Sequence, residues 1–201
     1  MRCVSPLDTS AYFDQERKLY RRFWDRGLSF ADYVAGVEER RRERWNRMYE
    51  RVALTGAQRS LVASFTREMK VLTVSATWCG DCIGQVPILA RIAEASAKVE
   101  LRLVERDEHP ELRDSVRICG AAKVPVALFL SEDYFECGRS GDRTLATYRA
   151  MAAKQLGPAC PLGGEVEEDE LQAGIKEWLD QFERIQLMLR LSPYLRERYE
   201  D

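Results

Sequence analysis

A short β-branched run that ends in two cysteines constrains the fold of this chain more than any other feature. Residues 71–76 have the pattern of a buried strand, and the motif WCGDC at residues 78–82 follows it and opens a helical pattern. A helix N-terminus carries unpaired N–H groups and about half a positive charge, which favours the thiolate form of a cysteine. The thiolate is the nucleophile in disulfide exchange. The stretch therefore predicts a strand that delivers a redox dithiol, Cys79 and Cys82, to the start of a helix.

These features resemble the thioredoxin superfamily, and in particular bacterial thioredoxin-like proteins with a helical N-terminal extension and a WCGDC motif. The resemblance covers residues of about 70 to 140 and rests on Trp78, Cys79, Gly80, Cys82, Pro87 in the following helix, and Val124-Pro125 downstream. It implies an α/β fold of three layers, a central mixed sheet flanked by helices. The helical patterns outside the match predict added N-terminal and C-terminal helices.

The resemblance also implies roles for individual residues. Cys79 is expected to attack a substrate disulfide, and Cys82, one helical turn further on, to resolve the mixed disulfide. Trp78 is expected to cover the dithiol. Pro125 is expected to follow a cis peptide bond and to face the dithiol, while backbone groups of Val124 pair with an extended substrate segment.

Several residues depart from the family pattern. Asp81 replaces the proline that is common between the two cysteines, and Ile83 replaces a frequent lysine. Thr73 stands where many thioredoxins carry a buried acid, and Leu103 stands where its lysine partner usually lies. Gly80, Asp81 and Thr73 are therefore expected to modulate the dithiol. The departures favour a specialised client over general disulfide reduction.

The charge of Asp81 gives a quantitative expectation. If its carboxylate lies about 7 Å from the Cys79 sulfur, Coulomb repulsion is on the order of 0.6 to 2.4 kcal/mol. Asp81 should then raise the pKa of Cys79 by roughly half a unit or more relative to a neutral residue. Arg41 is the first candidate for a cation that neutralises it.

Apolar periodicity divides the chain into four parts. Residues 1–69 are predicted to form a helical extension packed on the core, and residues 70–155 the thioredoxin-like core. Within that core, residues 134–138 are predicted to form the second strand of a hairpin. Residues 156–166 are rich in proline and glycine and predict a loop. An apolar stripe at helical spacing then predicts a C-terminal helical segment at 167–201.

Two capping signals mark helix starts in the extension. Ser29 to Asp32 is predicted to open one long helix that runs to about Val52, and Thr55 to Gln58 to open the next. The second helix is predicted to carry Met69 on its apolar face.

Cysteine usage favours redox chemistry over metal binding. A structural zinc site needs about four ligands, and His109 is the single histidine, so neither a metal nor another cofactor is expected. The start of the chain shows no secretory signal, which predicts a cytoplasmic protein. Cys119 is expected to be a small core residue beside Gly120. The remaining cysteines are expected to be free thiols, with a Cys137–Cys160 disulfide as the alternative; they are Cys3, Cys137 and Cys160.

Charge and hydropathy limit the partners. No apolar run approaches the roughly eighteen residues of a membrane span. Residues 1–70 hold fifteen Lys and Arg against ten Asp and Glu, but the whole chain has a net charge of −2. The arginine cluster at residues 40–51 therefore predicts a solvated helix face rather than a nucleic-acid site.

The sequence thus predicts a thiol–disulfide oxidoreductase that reduces disulfides of specific protein clients, with electrons from another protein or a thiol. The alternative is a thioredoxin-fold adaptor whose extension covers the substrate groove and recruits a partner. A third interpretation is an iron–sulfur or metal-binding dimer that uses Cys79 and Cys82 of each subunit.

Overall fold

The computed structural model describes residues 12–157 and 169–200. Its centre is a four-stranded sheet in the order β2-β1-β3-β4, in which β1 and β2 are parallel and the other pairs are antiparallel. The strands are β1 Met69–Ser75, β2 Val99–Glu105, β3 Val126–Leu130 and β4 Glu136–Gly141. This is the mixed central sheet that the sequence predicted.

Helices flank the sheet. They are α1 Arg17–Trp24, α2 Phe30–Ala35, α3 Glu39–Arg51, α4 Gly56–Ala63, α5 Gly80–Glu94, α6 Pro110–Ser115, α7 Leu145–Gln155, α8 Glu170–Leu191 and α9 Pro193–Tyr199. Both capping signals act as expected, because Ser29 accepts a hydrogen bond from the Asp32 N–H and Thr55 from the Gln58 N–H.

The strand β1 lies at the centre of the fold, and side chains on both of its faces are buried. Val71, Leu72 and Val74 are fully buried between β2, β3 and the helices. The loop that follows β1 leads directly to α5. The fold therefore places the start of α5 at the end of its most buried strand.

The helices α1–α4 pack on the core at several places, α1 against β1 and α6, and α2 against β2. Leu28 exchanges two backbone hydrogen bonds with Leu103 (2.9 and 2.8 Å), which extends the sheet by a single bridge. Further along, Tyr33 and Trp45 are buried, and α3 packs on α5. This part of the chain therefore reaches the helix that carries the dithiol.

Three predicted element bounds were wrong. The long helix after Ser29 is broken into α2 and α3, because α2 ends at Gly36, a poor helix former. Met69 is not on α4 but begins β1. The strand predicted at residues 134–138 begins at Glu136, since Tyr134 adopts a left-handed conformation (φ 66°) in the turn.

Some predictions fall outside the described residues. Cys3, Cys160 and most of the predicted loop at 156–166 belong to this group. Within residues 12–157 and 169–200, no helix combines the length and the apolar character that a membrane span requires.

Candidate functional site

The two cysteines of the motif lie at the junction of β1 and α5. Cys79 is the N-cap of α5 and has extended backbone, and its N–H donates to the Ala76 carbonyl (3.0 Å). Cys82 lies in the first turn of the helix. Cys79 is 9% exposed and Cys82 is fully buried, so a disulfide of another molecule reaches Cys79 first.

The Cys79 thiol has the properties of a nucleophile. Hydrogen bonding from the Cys82 thiol lowers the pKa of Cys79 to about 6, with help from the backbone N–H groups of Cys82 and Asp81. Burial and the negative charge of Asp81 oppose this shift. The downward shift of the pKa favours the thiolate form of Cys79, which is the nucleophilic form.

The pKa of the Cys82 thiol is shifted in the opposite direction. Burial raises the pKa of Cys82 strongly, and the neighbouring Cys79 raises it further. The sulfur accepts a hydrogen bond from the Ala76 N–H (3.4 Å). The two opposite shifts favour a proton on Cys82 while Cys79 is ionised.

The peptide bond between Val124 and Pro125 is cis, as the resemblance implied. The Cys79 thiol lies 3.6 Å from the Val124 carbonyl oxygen, to which it donates when protonated. Gly141 packs against the other side of this loop, because a Cβ at Gly141 would lie only 2.3 Å from the Pro125 carbonyl oxygen. The loop is thus fixed beside the dithiol.

Trp78 is 47% exposed next to the dithiol. Its indole N–H donates to Asp107 (3.0 Å), and the Arg106 guanidinium stacks on its ring at 4.6 Å. These contacts hold the ring toward the loop after β2. A role in covering the dithiol or in binding substrate stays a prediction.

The cation beside Asp81 was predicted wrongly. Arg143, at the start of α7, forms an ion pair of 2.7 Å with Asp81, whereas Arg41 pairs with Glu38 on its own helix (3.7 Å). Asp81 does oppose ionisation of Cys79, which is the expected direction, but the hydrogen bonds to the thiolate outweigh it. No local pattern in the sequence pointed to Arg143, because the fold alone brings it to α5.

A buried polar cluster lies behind Cys82, and sequence reasoning missed it. Thr73 and Ser75 point to the same face of β1, and neither hydroxyl has a hydrogen-bond partner of good geometry among the described residues. Thr73 faces Leu103 across the β1–β2 pair. Beside them, Tyr33 and Glu105 form a hydrogen-bonded pair (2.7 Å). Tyr33 lies on an apolar stripe at helical spacing, and such a stripe gives no signal that a hydroxyl is used.

A cavity of about 300 Å³ borders the start of α5 on the side away from Trp78. Gly80 and Gly84 leave its floor open, since a Cβ at either position would meet no atom within 4 Å. The other walls come from α3, α7 and α8.

The other described cysteines are separate from the dithiol. The prediction that Cys119 is a core residue is wrong, because it lies exposed in a left-handed turn (φ 51°) before Gly120. Burial raises the pKa of Cys137 to about 12, which makes it a poor nucleophile. In the part of the chain that the structure describes, no group of three or more His, Cys, Asp or Glu side chains is placed to hold a metal ion.

Comparison with known proteins agrees with this fold. A family model described as thioredoxin matches residues 27–154, so the chain belongs to the thioredoxin family. A crystal structure of a protein of unknown function from Pseudomonas aeruginosa superposes with a TM-score of 0.64 and 22% identity, covering 82% of this chain and 97% of that one. An HIV epitope-scaffold superposes with a TM-score of 0.63 and 20% identity, covering 82% and 98%. No curated protein matches the chain.

Proposed function

We propose that this protein is a thiol–disulfide oxidoreductase in which Cys79 is the attacking thiol and Cys82 the resolving thiol. The observation that carries the proposal is the opposite direction of the two pKa shifts within one helical turn. A binding module without redox chemistry has no physical need for an ionised thiol beside a protonated one. The thioredoxin fold and family support a redox role as well.

The reaction takes place in two exchanges. The Cys79 thiolate attacks one sulfur of a client disulfide, so that a Cys79–client disulfide forms and the other client sulfur leaves as a thiolate. Cys82 then loses its proton and attacks Cys79, which forms the Cys79–Cys82 disulfide and releases the second client thiolate. The client gains two electrons. An external dithiol or a partner protein then supplies two electrons that reduce the Cys79–Cys82 disulfide.

The proposed clients are proteins with an accessible disulfide in an extended segment. The cis loop at Val124 and Pro125 lies beside the Cys79 sulfur and offers backbone groups to such a segment. The half-exposed Trp78 and the cavity beside Gly80 flank the same point. The electron donor and the cytoplasmic location stay predictions from the sequence.

The proposal is tested by reduction of insulin in the presence of dithiothreitol. Cys79→Ser should abolish turnover, and Cys82→Ser should accumulate protein–insulin mixed disulfides, because only the second exchange is blocked. Cys119→Ser is the matched control, since it removes an exposed thiol outside the site. Equal turnover by wild type, Cys79→Ser and Cys82→Ser would contradict the proposal.

A further inference from the structure

The second exchange needs an acceptor for the proton of Cys82. This thiol is fully buried, and burial raises its pKa so strongly that it holds its proton at neutral pH. Thr73 and Leu103, which face each other on the adjacent strands, carry no titratable group. A path from Cys82 to a base must therefore run through other residues.

Ser75 is the first group on such a path. Its hydroxyl is buried and lies near the Cys82 thiol and the Tyr33 hydroxyl, where it partly offsets the rise that burial causes in the pKa of each. Among the described residues it has no hydrogen-bond partner of good geometry. A buried hydroxyl without a hydrogen-bond partner is uncommon in folded proteins. One explanation is that Ser75 forms its hydrogen bonds only during the reaction.

Tyr33 and Glu105 continue the path. Glu105 is the register partner of Ser75 on β2, and its carboxylate accepts a hydrogen bond from the Tyr33 hydroxyl (2.7 Å). The same oxygen accepts the N–H of Thr77 (3.0 Å), which fixes the carboxylate at the turn before Cys79. Burial raises the pKa of Tyr33, so its hydroxyl stays protonated and can pass a proton on.

The helices before the sheet also hold this turn from its other side. The indole N–H of the buried Trp45 donates to the Thr77 carbonyl (3.1 Å), and Trp45 packs edge-on against Tyr33 at 5.8 Å. Both backbone groups of Thr77 are thus bound, one by Trp45 and one by Glu105. A carboxylate held this firmly keeps a constant distance to the dithiol.

We infer that Glu105 is the proton acceptor of the resolving step and that Ser75 and Tyr33 connect it to Cys82. This deepens the proposed function and rests on it. Tyr33 belongs to the helical extension, so the extension supplies part of the redox centre in addition to packing on it.

The proton transfer is balanced within the site. As Cys82 attacks Cys79, its proton passes to the Ser75 oxygen, the Ser75 proton to the Tyr33 oxygen, and the Tyr33 proton to Glu105. The Cys79–Cys82 bond forms while the bond from Cys79 to the client breaks. Glu105 is only partly buried, so it can return the proton to solvent. The titratable groups that the structure places around this path are Cys79 and Cys82 on α5, Tyr33 on α2 and Glu105 on β2.

The experiment measures the two exchanges separately. All cysteines other than Cys79 and Cys82 are replaced by serine, and the reduced protein is mixed with 5,5′-dithiobis(2-nitrobenzoic acid) in a stopped-flow instrument. Attack by Cys79 releases the first thionitrobenzoate, and attack by Cys82 on the resulting mixed disulfide releases the second. Rates are measured from neutral to alkaline pH in wild type, Glu105→Gln, Tyr33→Phe and Ser75→Ala.

A second tyrosine–glutamate pair provides matched controls. Tyr20 on α1 is fully buried, and its hydroxyl donates a hydrogen bond to the Glu136 carboxylate on β4 (2.7 Å). This pair has the same chemistry as Tyr33 and Glu105 but is not part of the path from Cys82. Tyr20→Phe and Glu136→Gln therefore report the cost of breaking such a pair. Thermal unfolding of every variant shows which of them remain folded.

We expect Glu105→Gln and Tyr33→Phe to slow the second phase at least about tenfold at neutral pH, with an unchanged first phase. The deficit should shrink as pH rises, because hydroxide replaces the lost acceptor. A normal second phase in folded Glu105→Gln or Tyr33→Phe would overturn the inference. A second phase that is slowed by the same factor at every pH would also overturn it. The same holds if Tyr20→Phe slows the second phase as much as Tyr33→Phe does. A wild-type protein that never releases the second thionitrobenzoate would instead contradict the proposed function itself.

Discussion

The ion pair between Asp81 and Arg143 should set the acidity of Cys79. Arg143→Gln removes the cation and leaves the Asp81 carboxylate uncompensated at the start of α5. The side chains of Asp81 and Arg143 are 29% and 26% exposed, so neither charge is fully screened by solvent. We therefore expect the pKa of Cys79 to rise in this variant.

The size of the effect follows from Coulomb's law. A carboxylate about 7 Å from the sulfur repels the thiolate by on the order of 0.6 to 2.4 kcal/mol for effective dielectric constants between about 80 and 20. Because both side chains touch solvent, the lower part of this range applies, and it corresponds to about half a pKa unit. Asp81→Asn should lower the pKa by a similar amount, and the double variant should return close to wild type.

The assay is the rate of alkylation of Cys79 by iodoacetamide as a function of pH. Wild type should show a midpoint near the pKa of about 6 that the structure gives. Lys176→Gln is the matched control, because it removes a cation from an exposed ion pair with Asp180 on α8. If Arg143→Gln leaves the midpoint unchanged or lowers it, or if the double variant fails to restore it, the reasoning is refuted.

Two further predictions concern stability. Truncation before Lys70 should give an aggregating or molten product, because it removes Trp45 and the other buried aromatic side chains of α1–α4; a soluble core with a sharp thermal transition would refute this. Gly141→Ala should lower the free energy of unfolding by about 1 to 3 kcal/mol, because the new Cβ would overlap the Pro125 carbonyl. Gly84→Ala, whose Cβ meets open space, is its control in the same thermal unfolding measurement, and equal transitions for the two variants would contradict the prediction.

The parts of this structure that local sequence determines were predictable. The run before Cys79 is apolar enough for a buried strand, and the spacing of Cys79 and Cys82 defines the dithiol without help from the rest of the chain. The helix starts at Ser29 and Thr55 were also predictable, because a capping residue bonds to a backbone group three residues away.

The parts that depend on contacts between distant segments were not predictable. Arg143 reaches Asp81 only because β4 ends beside the cis loop, and no pattern near either residue signals this pair. Tyr33 fits an apolar stripe equally well whether its hydroxyl is used or not. Glu105 ends an ordinary strand, and its meeting with Tyr33 depends on how α2 packs against β2.

The central claim is that Cys79 and Cys82 are a redox couple. The most direct measurement equilibrates the protein with mixtures of reduced and oxidised dithiothreitol, blocks the free thiols and maps the disulfides by mass spectrometry. We expect one disulfide, between Cys79 and Cys82. It should form in a single two-electron transition with a slope of about 30 mV per tenfold change in the ratio of oxidised to reduced dithiothreitol. If Cys79 and Cys82 are both alkylated at every dithiothreitol ratio, they are not a redox couple. A disulfide that joins either of them to another cysteine would also contradict the central claim.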